Sequence, residues 1–187
     1  MPTFDFREFP TLETDRLILR QMRLSDAEDV LIFRGDEYVQ RFNSAPLKTV
    51  AEARDFIAEG LAGFYQKKSI PWGVTLRGED RVIGGFGFNW WDTYHRRAEV
   101  GYDLARAHWG KGYATEALRA ICRFGFEQMD LNRIETETLL DNTESVRLLE
   151  RLGFTHEGTR RGYSWEYLDK AFHDGGVFGL LRGEFEM

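Results

Sequence analysis

The sequence predicts a single α/β domain of the α+β kind, with a mixed, mostly antiparallel central sheet flanked by helices. Three observations favour this class. Stretches that alternate polar and apolar residues are interleaved with stretches of helical periodicity, turn signals join neighbouring strands in mid-chain, and the four prolines are scattered without forming a linker. We therefore expect residues 1–187 to form one domain.

The first third of the chain predicts one strand and two helices. Residues 15–23 alternate polar and apolar side chains, as a half-buried strand does. Residues 25–28, with Ser25 and Glu28 at the ends, indicate a capping box that opens a helix ending near Gly35. Thr49 and Glu52 indicate a second one. The helix that follows carries apolar residues at helical spacing: Ala53, Phe56, Ile57, Leu61 and Phe64.

The middle of the chain predicts a hairpin and a further strand. Residues 70–76 and 81–91 are rich in β-branched and aromatic side chains, and the turn sequence of residues 77–80 separates them. Residues 96–105 predict the next strand.

The last third predicts a central helix, three strands and a short helix. The central helix presents a stripe of Ala114, Ala117, Leu118 and Ile121. Residues 133–140 alternate as a strand, and residues 142–154 form a short helix that Gly153 ends. Residues 155–163 and 177–181 are the predicted closing strands.

Composition describes a globular protein and argues against two classes of partner. The chain is 42% hydrophobic and 30% charged, with a formal net charge of -6. That balance does not favour general binding to nucleic acid or to anionic membranes. The single cysteine excludes an internal disulfide, and the four histidines have no metal-ligand spacing, so we expect no metal. With no signal-like start and no apolar run of ~18 residues, we expect a cytoplasmic protein.

A loop with two glycines one residue apart, Gly110 and Gly112, leads directly into the central helix. The first N–H groups of a helix have no intrahelical partner, and a glycine lets an anion approach the backbone closely. The loop therefore predicts a phosphate site, with a tight strand-to-helix connection as the alternative. It is not a P-loop, since Lys-Gly-Tyr follows Gly110, and position 115 is threonine, which breaks the dinucleotide fingerprint.

Four motifs in order extend this interpretation: TDRLILR, AEVGYDL, WGKGYATEAL and NTESVRLLERLGF. Together they resemble the GCN5-related N-acetyltransferases, and more narrowly the branch that includes the ribosomal-protein alanine N-acetyltransferases. The resemblance covers residues 11–183. An aromatic strand motif of RNA-recognition domains is a poorer match to residues 84–91, where Gly84 and Asn89 replace the expected basic residue and valine.

The resemblance implies acetyl-CoA as co-substrate and assigns residues to it. The pyrophosphate would meet the N–H groups of the glycine loop, and the pantetheine arm would lie beside the preceding strand like an added strand. Asn142 would touch that arm, or only cap its own helix. The expected coenzyme-binding residues are Tyr102, Asp103, Leu104, Gly110, Lys111, Gly112, Tyr113, Ala114 and Asn142.

The resemblance also bears on catalysis, with two departures from the family pattern. Ala107 stands where the loop usually has Gln or Arg, and the tyrosine that many relatives use as an acid falls on Leu149. Glu99 matches the position of a glutamate that some relatives use as a base; the alternatives are a solvated residue or a pair with Arg97. Ser145, one helical turn after Asn142, is the candidate acid, and the alternative is a small polar helix residue.

The expected reaction is the direct transfer of an acetyl group to a primary amine in a ternary complex. The amine is a protein N-terminus or belongs to a small molecule, and the protein is a monomer or homodimer. Aromatic residues suit an amine-bearing ligand, although each could equally belong to the core. The expected acceptor contacts are Phe33, Tyr38, Trp90 and Trp91. A non-catalytic acetyl-CoA-binding module of the same fold is the alternative function.

Overall fold

A computed structural model describes residues 7–166 and 170–186. Within these ranges, eight strands form one sheet in the order β1-β2-β3-β4-β5-β6-β8-β7. All neighbouring pairs are antiparallel except β5 and β6, which are parallel. The strands are β1 (Leu12–Glu13), β2 (Leu17–Gln21), β3 (Ile70–Leu76), β4 (Val82–Asp92), β5 (Arg97–Leu104), β6 (Arg133–Leu139), β7 (Thr155–Glu166) and β8 (Ala171–Leu181). This confirms the predicted fold class.

Within the same described ranges, five α-helices flank the sheet. They are α1 (Ala27–Arg34), α2 (Glu37–Gln40), α3 (Val50–Tyr65), α4 (Tyr113–Glu127) and α5 (Thr143–Arg151). None of the helices in the described part of the chain has the length and apolarity needed to cross a bilayer.

The core lies in two layers, one on each face of the sheet, because successive strand residues point to opposite sides. On one face, Trp72 packs edge-on against Phe124 of α4, with ring centroids 5.5 Å apart. On the other face, a second buried cluster joins α1 to α3 through Phe33 and Ile57. Gly85 faces this side, where an added Cβ would lie 3.5 Å from the Phe33 ring.

The two predicted capping boxes have different outcomes. Thr49 Oγ1 accepts from the Glu52 N–H at 3.1 Å, so the N-terminal cap of α3 is confirmed. The prediction of a capping box at Ser25 is wrong. A single 3-10 turn over Leu24–Asp26 precedes α1, and no side chain caps that helix. The Asp26 carboxylate instead accepts from the Arg23 N–H at 2.7 Å and from Arg20 at 2.8 Å, and this paired carboxylate organises the turn.

Strands β5 and β6 separate soon after they meet. Their parallel register runs only from Arg97↔Arg133 to Glu99↔Glu135. Beyond that point β5 stays paired with β4, and β6 stays paired with β8. The last residues of β5 therefore have no strand partner on their second edge among the described residues, and a cleft opens between the two strands.

Candidate active site

The cleft between β5 and β6 has a volume of about 720 Å³, which lies within the usual range of ligand-binding clefts. Strand β5, the loop before α4 and the first turns of α5 form its walls. Most of the predicted coenzyme and catalytic residues line it: Glu99, Tyr102, Asp103, Leu104, Gly110, Gly112, Tyr113, Ala114, Asn142 and Ser145. Lys111 does not line the cleft, because its ammonium is turned back onto the Ala107 carbonyl at 2.8 Å.

The glycine loop has the backbone that an anion site requires. Gly110 and Gly112 have φ values of 72° and 80°, in the left-handed region that favours glycine. Helix α4 begins at Tyr113, and its first internal hydrogen bond is donated by the Glu116 N–H to the Gly112 carbonyl at 3.1 Å. The N–H groups of residues 113–115 therefore have no intrahelical acceptor at the edge of the cleft.

Arg16 holds this loop from outside the cleft. Its guanidinium donates to the Lys111 carbonyl at 3.0 Å and to the Glu116 carboxylate at 2.7 Å. Burial raises the pKa of Glu116, but hydrogen bonds from Thr14 and Arg16 outweigh it and lower that pKa overall. Glu116 therefore stays ionised, and Arg16 balances its negative charge. This matters because Glu116 lies in the first turn of α4, where an anion would bind.

The free edge of β5 supplies main-chain donors and acceptors. Residues 100–104 pair with β4 on one side only, from Val100↔Phe88 to Leu104↔Gly84. An extended ligand with amide groups could pair with the other edge, as an added strand does. The loop and this edge line the same cleft, as a ligand with a diphosphate and an amide-containing arm requires.

Asn142 and Ser145 meet the cleft at the start of α5. The Asn142 amide oxygen accepts from the Ser145 N–H at 3.3 Å, so Asn142 caps the helix while also lining the cleft. The Ser145 hydroxyl lies 2.5 Å from the Tyr102 hydroxyl. Burial, as the largest effect, raises the pKa of Tyr102 to about 12, and the phenol therefore stays protonated at neutral pH.

Glu99 is held by two donors from β4. Its carboxylate oxygens accept from the Asn89 amide at 2.8 Å and from the Trp90 indole N–H at 3.0 Å. The pairing of β4 with β5 shifts between Phe88 and Trp90, so Asn89 occupies a bulge. Gly101 leaves the space for it, since an added Cβ would lie 2.7 Å from the Asn89 amide nitrogen.

The alternative pairing of Glu99 with Arg97 does not occur. The Arg97 guanidinium instead lies 3.6 Å from the Glu135 carboxylate and stands over the Trp90 ring at 5.5 Å. Glu99 is therefore free of any ion pair in the described part of the chain. Its carboxylate has a fixed orientation and borders the cleft, which suits a proton acceptor.

Comparison with known proteins gives the family. The model of the acetyltransferase (GNAT) domain matches residues 16–155, three quarters of the chain. The chain belongs to the GNAT acetyltransferase family. It is 39% identical to the uncharacterized N-acetyltransferase p20 of Bacillus licheniformis, over 94% of this chain and 98% of the relative. The predicted family is confirmed.

Solved structures show the same fold. A GNAT acetyltransferase from Bacillus anthracis superposes with a TM-score of 0.82 at 26% identity, over 94% of this chain and all of that one. RimL, a ribosomal L7/L12 alpha-N-protein acetyltransferase solved with coenzyme A, gives 0.83 at 18% identity over 92% and 98% of the two chains. At that identity the likeness to RimL is one of fold.

The structure shows the surroundings of the two departures from the family pattern, Leu149 and Ala107. Leu149, at the position of the missing tyrosine, is fully buried in the core. The only phenol that contacts Ser145 among the described residues is Tyr102, across the cleft floor. Arg106, next to Ala107, faces away from the loop and donates to Asp36 at 2.7 Å.

The four predicted acceptor contacts have four different placements. Phe33 has no exposed surface and packs in the core between α1 and α3, so the expectation of a ligand contact is corrected. Trp91 is partly buried against the main core and does not line the cleft, so its contact with an acceptor stays a prediction. Trp90 reaches the site only through Glu99. Tyr38 is half exposed beside Trp109, with ring centroids 5.9 Å apart at the rim.

The sequence does not indicate several of the residues that line the cleft. Glu137 lines it and pairs with Arg160 at 2.7 Å, and Arg160 also donates to the Tyr163 hydroxyl at 3.1 Å. Alternation along residues 133–140 placed Glu137 on a polar face, but no local signal indicated which strand would lie beside it. In the described ranges, no group of three potential metal ligands is present.

Proposed function

We propose that this acetyltransferase moves the acetyl group of acetyl-CoA to a primary amine by direct attack within a ternary complex. One observation carries the proposal: the glycine loop, the unpaired edge of β5, Glu99 and the Tyr102–Ser145 pair all line one cleft. The first two suit the coenzyme, and the others suit proton transfer at the thioester. RimL, which has the same fold, was solved with coenzyme A, and that supports the choice of co-substrate.

The coenzyme fits the chain's own donors. The N–H groups of Gly110 to Ala114 would bind the pyrophosphate, helped by the positive end of the α4 dipole. The free edge of Tyr102 to Leu104 would bind the pantetheine amides, with Asn142 touching the same arm from α5. The Leu104 region would also supply an N–H to the oxyanion of the tetrahedral intermediate.

Glu99 is the proposed base. Attack requires a neutral amine, so the carboxylate accepts the ammonium proton, directly or through one water, before nitrogen bonds to the carbonyl carbon. Removing that proton at pH 7 costs about 1 kcal/mol for an α-amine of pKa ~7.7–8.0, against roughly 4–5 kcal/mol for a lysine of pKa ~10.4. A single carboxylate therefore suits an N-terminal α-amine, the group named for RimL.

Ser145 is the proposed acid. As the carbon–sulfur bond breaks, its hydroxyl donates to the departing sulfur, and Tyr102 donates to Ser145 from behind. The assistance required is small, because a free thiol has a pKa near ~8.5 and its anion is a tolerable leaving group. The nitrogen loses its second proton as the amide forms, and that proton replaces the one that Ser145 gave to the sulfur. The products are an amide, a free thiol and the one proton that Glu99 took from the ammonium and passes to solvent.

Release of free thiol from acetyl-CoA tests the proposal. The purified chain is mixed with acetyl-CoA and a panel of amines that includes peptides with N-terminal alanine or serine, lysine derivatives and small amines. We expect thiol release that requires one of the amines, and an acetylated acceptor of matching mass. Tight binding of acetyl-CoA with no release for any acceptor would instead identify a non-catalytic binding module.

A further inference from the structure

Residues 36–44 follow α1 along the chain and form part of the wall of the cleft. Four of them line the cleft: Val39, Arg41, Phe42 and Asn43. The segment contains only the four-residue helix α2, which Asp36 caps by accepting from the N–H groups of residues 38 and 39. So short a helix does not fix its own position, and contacts with other parts of the chain must do so.

Asp103 of β5 provides the main contact. One carboxylate oxygen accepts from the Asn43 amide at 2.6 Å and the Gln40 amide at 3.1 Å, and the other accepts from Arg34 at 2.6 Å. The Arg34 and Asp103 side chains are only 16% and 11% exposed. Gln40 is 2% exposed and also donates to the Phe33 carbonyl at 3.1 Å. A buried carboxylate with three donors is a strong and directional anchor.

The other polar ties of the segment lie at its rim. Arg41 lies 3.9 Å from the Glu144 carboxylate of α5, which is 65% exposed. Asp36 accepts from Arg106, whose side chain is 56% exposed. Exposed pairs of this kind contribute little, so the buried Asp103 cluster dominates the placement of the segment.

We propose that Asp103 is a positioning residue, whose carboxylate holds residues 36–44 in place as the acceptor-side wall of the cleft. That this wall faces the acceptor rests on the proposed function, in which the loop and the edge of β5 are occupied by the coenzyme. The main chain of Tyr102 and Leu104, on either side of Asp103, belongs to that coenzyme edge. One side chain thereby links the placement of the amine to the strand that holds the thioester.

The first test needs no ligand. Asp103→Asn keeps the shape of the side chain but replaces one acceptor oxygen with an N–H₂ group. That group is a donor, so it cannot accept from the donors on its side of the cluster. The main-chain N–H groups of Gln40, Asn43 and Leu47 donate to main-chain carbonyls at 3.0, 2.9 and 2.9 Å. We expect their hydrogens to exchange at least ~10-fold faster in the variant than in the wild type. Unchanged exchange at these amides would overturn the proposal, whatever the enzyme's substrate.

The second test separates positioning from general damage. In Asp103→Asn, kcat/KM for the amine should fall by about 10-fold or more, mainly through KM, while the Kd of acetyl-CoA stays within about twofold. Adding Asn43→Asp returns a carboxylate to the cluster and should recover part of the lost kcat/KM. A loss carried by acetyl-CoA affinity alone, with the amine KM unchanged, would contradict the inference.

Asp29→Asn is the matched control. This α1 carboxylate pairs with Arg81 at 2.8 Å and accepts from the Val82 N–H at 3.0 Å, but it does not line the cleft. We expect normal exchange at residues 36–47 and normal kinetics. If the wild-type chain acetylates no amine, the proposed function fails while the exchange experiment still decides the role of Asp103.

Discussion

The Tyr102 hydroxyl lies 2.5 Å from Ser145 Oγ and thereby joins the free edge of β5 to the first turn of α5 across the cleft floor. The ring of Tyr102 is stacked on Phe86, with centroids 5.8 Å apart and planes 18° from parallel, so the phenol has little freedom. Asn142 fixes the other partner by accepting from the Ser145 N–H. The serine hydroxyl is therefore oriented from two sides.

We expect Ser145→Ala to lower kcat by roughly 10- to 100-fold, because an oriented donor at the departing sulfur is lost. Tyr102→Phe should lower kcat less, since it removes only the group that orients Ser145. The double variant should match Ser145→Ala alone, and a double-mutant cycle on kcat measures this. If each change lowered kcat by the same factor with or without the other, the two hydroxyls would act independently. Tyr65→Phe, at an exposed tyrosine outside the cleft, is the control.

The parts of the fold that local patterns specify could be predicted from the sequence. The apolar stripe of α4 is buried at Ala117, Leu118 and Ile121, and the two loop glycines that the sequence singled out have positive φ. Short sequence patterns suffice in these places, because the buried face of a helix and the left-handed conformation of a glycine depend mainly on residues close in sequence.

The parts of the site that depend on partners distant in sequence could not be predicted. Asp103 meets Arg34 across 69 positions of the chain, and only the packed fold brings them together. The bulge at Asn89 depends on how β4 registers with β5, which no residue pattern within β4 encodes. Phe33 follows the same rule, since its aromatic character gave no means to distinguish a core ring from a ligand contact.

Glu99→Gln should slow turnover most at low pH. The glutamine cannot accept a proton, so the variant depends on amine that is already neutral in solution, and that fraction falls tenfold per pH unit below the amine pKa. We expect a loss of about 100-fold near pH ~6.5 that shrinks to a few-fold near pH ~9. Initial rates against pH, with a single peptide acceptor, measure it.

Glu135→Gln is the matched control for that experiment. Glu135 faces Glu99 in the β5–β6 register but pairs with Arg133 at 2.5 Å and does not line the cleft. Its rate should follow the wild type at every pH. A loss in Glu99→Gln that is the same at all pH values would remove Glu99 as the base.

Gly112→Trp should abolish acetyl-CoA binding, because the side chain would fill the approach to the N–H groups at the start of α4. The backbone at φ 80° adds strain, so a control with equal strain is needed. Gly78→Trp supplies it, since Gly78 has φ 87° with no atom near an added Cβ and lies in the β3–β4 turn. Calorimetry with acetyl-CoA should show lost affinity in the first variant only. Unchanged affinity in Gly112→Trp would refute the loop assignment.

Alkaline stability should depend on Cys122, which is fully buried in α4. Burial raises the pKa of its thiol from 9.0 to about 12. The folded state thus keeps its proton while the unfolded state loses it. The free energy of unfolding should accordingly stay constant below the unfolded pKa and fall as pH rises towards the folded one.

Between about pH 8 and about pH 10.5 the thiol should cost about 2 kcal/mol of stability, apart from any contribution of the tyrosines. Cys122→Ala removes that contribution, so its urea-unfolding free energy should fall less over the same interval, although a small cavity lowers its stability at both pH values. Each protein is compared with itself at the two pH values, so the effect of the cavity on its unfolding free energy cancels. The same pH-dependent loss in both proteins would mean that the Cys122 thiol ionises in the folded state almost as readily as in the unfolded chain.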